Sequence, residues 1–414
     1  MNRPFLLLQL CIFCFLASLI SLRAQQLPMG FSHQQVSTHI MNPIELRGIT
    51  SVEPQTRMPL VVQPLGRFTA IIPKLDVNSF GQELHNKVKD QVTGYAMQLR
   101  KNGAPIYKLI WNWSQTPADA SQSWKLDTRM HIASVSKYIS TIAMVKLLDA
   151  KGISIDAKII NYLPGYWAKG ANIDKISFRH LMTHTSGFNT GTGKADFIFM
   201  KQQVAAGTGG VGAYHHENMN FGLLRILLAV INGNINTNFT AGNLTDQTWD
   251  LVAISAYKQY CQSNIFNPAG IANASFEPLA NFKNALAYKF PHQILKGLNT
   301  GNIASFVGSD GWRISVEELL KIMDQVRRKN TIVSSVRAQQ ILDAGLGING
   351  SVSTPAGKLY YKTGYWGAGG SVEQSVIYYL PEGMELVMFV NSPISGNNWS
   401  LGNLISDLYL NNLQ

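Results

Sequence analysis

Residues 130–164 read MHIASVSKYISTIAMVKLLDAKGISIDAKIINYLP. Ile139, Ile142, Val145 and Leu148 recur at helical spacing and Gly152 follows as a stop, which predicts a helix from about Ser134 to Ala150. Ser134-Val135-Ser136-Lys137 opens it, and side chains three apart at a helix start share a face, so the hydroxyl and the amine can touch. A serine hydroxyl is a weak nucleophile until a neighbour removes its proton. A lysine does this when positive charge nearby, or loss of water, lowers its pKa. The N–H groups of a helix start favour the negative charge that then develops. The spacing alone is not specific, because Ser255-Ala256-Tyr257-Lys258 repeats it inside another predicted helix.

Outward from that helix the pattern is mixed. Phe80, Leu84, Val88 and Val92 predict a helix over 77–92. Tyr95–Arg100 and Ile106–Trp113 read as two strands joined at Asn102-Gly103. From Asp156 to about Pro291 helices and loops dominate, including Arg179–His184, Phe221–Ile231 and Thr248–Ile265. Strand pattern returns at Lys358–Lys362, Gly370–Leu380 and Met384–Asn391, with a turn at Pro381-Glu382-Gly383, before a last helix over Leu401–Leu410. The expected fold is α+β: an antiparallel sheet flanked by terminal helices and interrupted by a mostly helical insertion. The expected division is 1–24 signal peptide, 25–75 an extension that wraps the domain, 76–155 with 292–414 the sheet subdomain, and 156–291 the helical subdomain.

Lys362-Thr363-Gly364 on a late strand adds a second element to Ser-x-x-Lys, and the two together are a signature of serine β-lactamases and penicillin-binding proteins. The opening run, ISFRHLMTHTSGF at 176–188, SNIFNPAGI at 263–271 and GYWGAGGSVEQSVIYYLPEGMELVMFVNS at 364–392 stand in the order of that family. The chain resembles the β-lactamase-related serine hydrolases, the group of class C β-lactamases, D-Ala-D-Ala carboxypeptidases and related esterases, over about residues 75–410. The resemblance implies a β-lactamase/transpeptidase-like fold, Ser134 as acylated nucleophile and Lys137 as its proton acceptor or electrostatic partner. It implies Lys362 and Thr363 on the opposite wall, and an oxyanion hole made by the N–H groups of Ser134 and Tyr365. The family's middle Tyr-x-Asn aligns with His216-Glu217-Asn218, through the MNFGLLR run at 219–225. Asn218 keeps the expected amide, which binds substrate and Lys137. His216 stands where Tyr is usual and can serve as a base because imidazole is largely neutral at pH 7. Tyr214 supplies a phenol only if its loop bulges.

Other motifs carry weaker chemistry. His180 and His184 are four apart but lack the following Glu of a zinc helix, and His215-His216-Glu217 are adjacent residues that rarely converge on one ion, so no metal site is expected. Gly207–Gly212 matches a dinucleotide fingerprint without a preceding strand and reads as a loop beside the cleft. Ser309-Asp310-Gly311 reads as a turn and cap. No Gly-x-Ser-x-Gly elbow occurs.

Composition sets the outer limits. The chain has 414 residues, 46% hydrophobic and only 14% charged, which excludes disordered, collagenous and coiled-coil classes. Arg3 followed by the apolar run Phe5–Leu22 reads as a secretory signal cleaved after Ala24, with an uncleaved anchor as the alternative. Cleavage loses two arginines and no acid, so the net charge falls from +11 to +9, and no stable membrane span remains. The charge is spread without a dense Lys/Arg block, so nucleic acid is not an expected partner. Only Cys261 survives cleavage, which excludes an internal disulfide. The expectation is a periplasmic or secreted serine hydrolase without cofactor, acting on a small-molecule or peptide ester or amide: a peptidoglycan-type D-peptide, a D-amino-acid amide, a small ester or a β-lactam. The alternative is a catalytically silent module that binds cell-envelope polymers.

Overall fold

The computed structural model describes residues 72–291, 295–395 and 400–414. The expected signal and nearly all of the expected extension lie outside the described residues. In chain order, helix α1 (Val77–Val88) leads into strands β1 (Gly94–Lys101), β2 (Ala104–Gln115), β3 (Gln122–Ser123) and β4 (Arg129–His131). Helices α2 (Ser136–Ala150), α3 (Phe178–Met182), α4 (Phe197–Ala206), α5 (Asn218–Ile231) and α6 (Thr245–Cys261) follow. Then come β5 (Arg313–Ser315), α7 (Val316–Asp324), α8 (Ser335–Asp343), β6 (Gly350–Thr354), β7 (Gly357–Ala368), β8 (Ser371–Leu380), β9 (Met384–Val390) and α9 (Leu401–Asn411).

Seven strands form one antiparallel sheet in the order β3-β2-β1-β9-β8-β7-β6. The fold is mixed α+β with this sheet at its centre. β8 and β9 are buried at every position because both faces are covered. On one face Phe80, Leu84 and Val88 of α1 and Leu404, Ile405 and Leu408 of α9 pack against Tyr95, Met97, Leu386 and Met388. On the other, Ile377, Val387 and Phe389 join a larger core with α2, α5 and α6. The chain before α1 pairs with the chain end, Leu75 opposite Leu413, so the terminal helices lie side by side.

α2 is buried from Ser136 to Val145 and again at Leu147 and Leu148, with Lys146 part-exposed and Asp149 and Ala150 exposed at its end. Its entrance is fixed by β4, which pairs with β5 in a separate two-stranded sheet. Arg129 of β4 is almost fully buried. Its guanidinium donates to Glu318 of α7 and to the carbonyls of Ala272 and Asn273, and it lies over the Phe282 ring. Glu318 also accepts from the Ser315 N–H and so closes a capping box at the start of α7. Removing one member of such a buried pair leaves the other charge uncompensated. Arg129→Ala is therefore expected to cost about 3–5 kcal/mol of stability, read as a lowered urea midpoint; a loss of under about 1 kcal/mol would show that the pair is solvated and does not hold the strand.

Candidate active site

Ser134 sits in a single 3-10 turn, Ala133–Val135, between β4 and α2. Ala133 holds a left-handed φ of 46°, a conformation that costs an alanine energy and turns the chain sharply out of the strand. The turn leaves Ser134 part-exposed between buried neighbours. Lys137, one turn on and fully buried, places Nζ 2.7 Å from Ser134 Oγ and 3.0 Å from the Ser309 carbonyl oxygen.

β7 runs along the same turn. A Cβ on Gly364 would lie 2.4 Å from the Ile132 carbonyl oxygen and 3.1 Å from Ser134 N, so only glycine lets the strand approach this closely. Ser375 of β8, opposite Gly364, donates from Oγ to the same Ile132 carbonyl at 2.6 Å and pins strand to turn. Lys362 lies two residues before Gly364 on the same face and is also buried. Thr363 points its N–H and its hydroxyl at Asn349 Oδ1, at 2.7 and 3.1 Å, away from β8. By strand alternation the Tyr365 N–H leaves β7 on that same edge, beyond Tyr361 where the pairing with β6 ends. The N–H groups of Ser134 and Tyr365 are thus presented on neighbouring segments, while the Tyr365 side chain is exposed.

The middle element arrives from the loop before α5. The His216 ring lies 4.6 Å from that of His184, and Tyr214 meets His184 edge-on at 5.8 Å. His216 feels the charges of both lysines, whereas Tyr214, more than half exposed, does not. Asn218 opens α5, but it is not bonded to Lys137: its Nδ2 donates to the Gly193 carbonyl at 2.8 Å, and its buried Oδ1 has no partner among the described residues. Glu217 is held by the N–H groups of Thr190 and Gly191 and by the Thr190 hydroxyl.

Three contributors are absent from the sequence expectation. Ser309 and Asp310 are not a helix cap, since Ser315 caps α7. Instead the Ser309 carbonyl accepts from Lys137, and Asp310 Oδ1 stands 3.4 Å from Ser134 Oγ. His184 is buried at a left-handed φ of 58°; its Nδ1 accepts from the Glu217 N–H at 3.1 Å, which places the proton of the neutral ring on Nε2. His180, four residues earlier, spends its Nδ1 on the Ser177 N–H in a capping box. Among the described residues no group of three or more His, Cys, Asp or Glu is placed to hold a metal ion.

The electrostatics follow from burial. Burial lowers the Lys137 pKa, opposed by the Asp310 carboxylate. Burial and then the Lys137 ammonium hold Lys362 well below its ordinary value. His216 is lowered by desolvation, then by Lys137 and Lys362. His184 is fully enclosed, and desolvation followed by His216 and the two lysines holds it well below 6.5.

The chain belongs to the beta-lactamase family, whose model matches residues 80–400. The human serine beta-lactamase-like protein LACTB, mitochondrial, is 30% identical over 112 residues, 26% of this chain and 20% of that protein, so the match spans about a fifth of the relative's length. An octameric penicillin-binding protein homologue from Pyrococcus abyssi superposes with a TM-score of 0.59 at 17% identity, over 81% of this chain and 76% of that one. A class C beta lactamase from Rhodobacter sphaeroides gives 0.58 at 16% identity, over 80% and 97%. The fold is β-lactamase/transpeptidase-like.

A histidine kept neutral when folded, but free to protonate when unfolded, makes the unfolded state bind more protons below about pH 6.5. Stability is then fully present above that pH and is lost as pH falls. His184→Asn keeps a residue tolerant of the left-handed φ. It is expected to flatten the decline of the urea midpoint between about pH 6.5 and 4 relative to the unsubstituted protein; an unchanged slope would mean His184 is protonated in the fold.

Proposed function

We propose that this member of the beta-lactamase family is an exported serine hydrolase that cleaves an ester or amide through a Ser134 acyl-enzyme. One observation carries the reading: a fully buried ammonium, depressed in pKa, stands 2.7 Å from a part-exposed serine oxygen. Neutral Lys137 takes the Ser134 proton as Oγ bonds to the substrate's carbonyl carbon. The oxyanion is held by the N–H groups of Ser134 and Tyr365, an arrangement whose donors are each worth on the order of 10²–10³ in rate. The leaving group departs with a proton delivered from Lys137, with neutral His216 completing the path. Water, deprotonated by the same groups, then attacks the ester and returns Ser134 with its proton. Burial and the Lys137 charge depress Lys362 in turn, so the two lysines share positive charge across the cleft, and that charge attracts an anionic group of the substrate. Substrates of this chemistry include peptidoglycan-type D-peptides, D-amino-acid amides, small esters and β-lactams. The export reading predicts a mature protein beginning at Gln25, in the periplasm or outside the cell.

The competing reading is a silent module that retains the cleft to bind envelope polymers, motivated by His216 in place of Tyr. Treatment with a fluorophosphonate and with a fluorescent penicillin, followed by intact mass and peptide mapping, separates the two. A single adduct on Ser134 that is absent from Ser134→Ala is expected, and no adduct from either probe favours the binding module. His216→Ala is expected to lower turnover by about 10²–10⁴-fold. If Tyr214→Phe is dead while His216→Ala is unaffected, the role passes to Tyr214.

A further inference from the structure

Asp310 has no counterpart in the roles described so far. Its Oδ2 lies 3.3 Å from the Ser309 hydroxyl, whose shorter bond, 2.8 Å, goes to the Phe306 carbonyl, and its Oδ1 is turned to Ser134 Oγ at 3.4 Å. The side chain is part-exposed, and no Lys, Arg or His of the described residues comes within ion-pair distance of it. The other ionisable groups named at the site are Lys137 from α2, Lys362 from β7, His184 and His216 from the segments before α5, the phenols of Tyr214 and Tyr365, and Glu217, whose carboxylate is engaged by the N–H groups of Thr190 and Gly191. This carboxylate, whose charge both lysines feel, therefore faces Ser134 Oγ, the atom that the acyl group must join.

A carbonyl carbon under attack lies about 3–3.5 Å from the nucleophile, so a substituent on the next carbon can come within hydrogen-bond reach of an oxygen 3.4 Å from Ser134 Oγ when the acyl group lies on the Asp310 side. Of the groups that can occupy that point, an ammonium gains most, because a charge-assisted hydrogen bond is roughly twice as strong as a neutral one. An anionic group there meets the carboxylate at close range. We propose that Asp310 is a specificity-determining residue that selects acyl donors carrying a protonated amine on the carbon next to the scissile carbonyl, namely amino-acid esters or amides with a free amino terminus. This rests on Ser134 being the nucleophile. The choice also couples binding to activation: the Asp310 carboxylate favours the charged form of Lys137, so an ammonium that neutralises it moves Lys137 toward the neutral amine that accepts the serine proton.

Two reporters differ only at the selected point: the diphenyl ester of 1-aminoethylphosphonate with a free amine, and its N-acetyl form. Rates of Ser134 adduct formation are read by intact mass on the full-length protein and on Asp310→Asn, with an uncharged fluorophosphonate as reference. The quantity measured is the free-amine to N-acetyl rate ratio of the protein divided by that of the variant, in which the reagents' intrinsic reactivities cancel. A quotient of about 10–100 is expected for loss of one hydrogen bond to a charged group. Asp310→Ser gives the same quotient if the asparagine variant does not fold. A quotient near one, whether because the protein shows no preference or because both reagents slow equally, overturns the proposal while fluorophosphonate labelling of Ser134 preserves the hydrolase reading. Failure of the fluorophosphonate to label Ser134 overturns both.

Discussion

Two lysines buried on opposite walls of one cleft cannot both keep a full charge. Lys137 and Lys362 have lost their water, and an ammonium without water or a counter-ion is costly to hold. Each also discourages the other from being protonated, with Lys137 among the causes that depress Lys362. The site resolves the conflict locally. Lys137 donates to Ser134 Oγ and to the Ser309 carbonyl, and Asp310 supplies the nearest negative charge. A proton shared among so few groups is easily moved, and moving one is what activation of a serine requires.

The rest of the fold serves to keep those lysines dry and the serine wet. α2 carries Lys137 inward because its neighbours on every side are apolar and packed. β7 carries Lys362 inward because the sheet is covered on both faces, and the cover on the far face comes from the two terminal helices. Ser134 escapes burial through the left-handed Ala133, which lifts it out of a turn whose neighbours on both sides are enclosed. The strain at Ala133 and the close passage of Gly364 are therefore parts of one construction. Strand and turn can meet only if one has no side chain and the other is bent.

What the sequence reveals follows the strength of local patterns. Long periodic segments are legible: the helices at 136–150, 218–231 and 401–411 and the strands β1, β2, β8 and β9 fall within a few residues of their pattern. The first helix stops at Val88, four residues short, because the chain turns while Val92 still lands in the core. α4 and α8 and the short β6 carry weaker periodicity and are not legible. At the site, Ser134, Lys137 and Lys362 are visible through spacing and family likeness, since each belongs to a contiguous motif. Asp310 belongs to none, and His184 lies in the 176–188 run without any mark of its role there: both reach the cleft through long-range packing from segments more than forty residues from Ser134, and a turn-like Ser-Asp-Gly carries no local mark of what it faces. Asn218 and Thr363 show the converse, residues of the expected type whose Nδ2 and hydroxyl donors are committed to Gly193 and Asn349.

The histidine in place of tyrosine fits this electrostatic setting. A phenol beside two depressed lysines acts as a base only when it has surrendered a proton, and burial opposes that charge. An imidazole needs no charge to accept a proton, and desolvation, helped by the same two lysines that would have to stabilise a phenolate, keeps His216 neutral. His184, its ring tilted against that of His216 and neutral with its Nδ1 occupied, adds no charge and leaves only its Nε2 hydrogen to give. Replacing the phenol by a pair of neutral rings thus lowers the demand on the lysines for positive charge. It shifts the burden of balancing them onto Asp310, the acid that a substrate's own cation can neutralise.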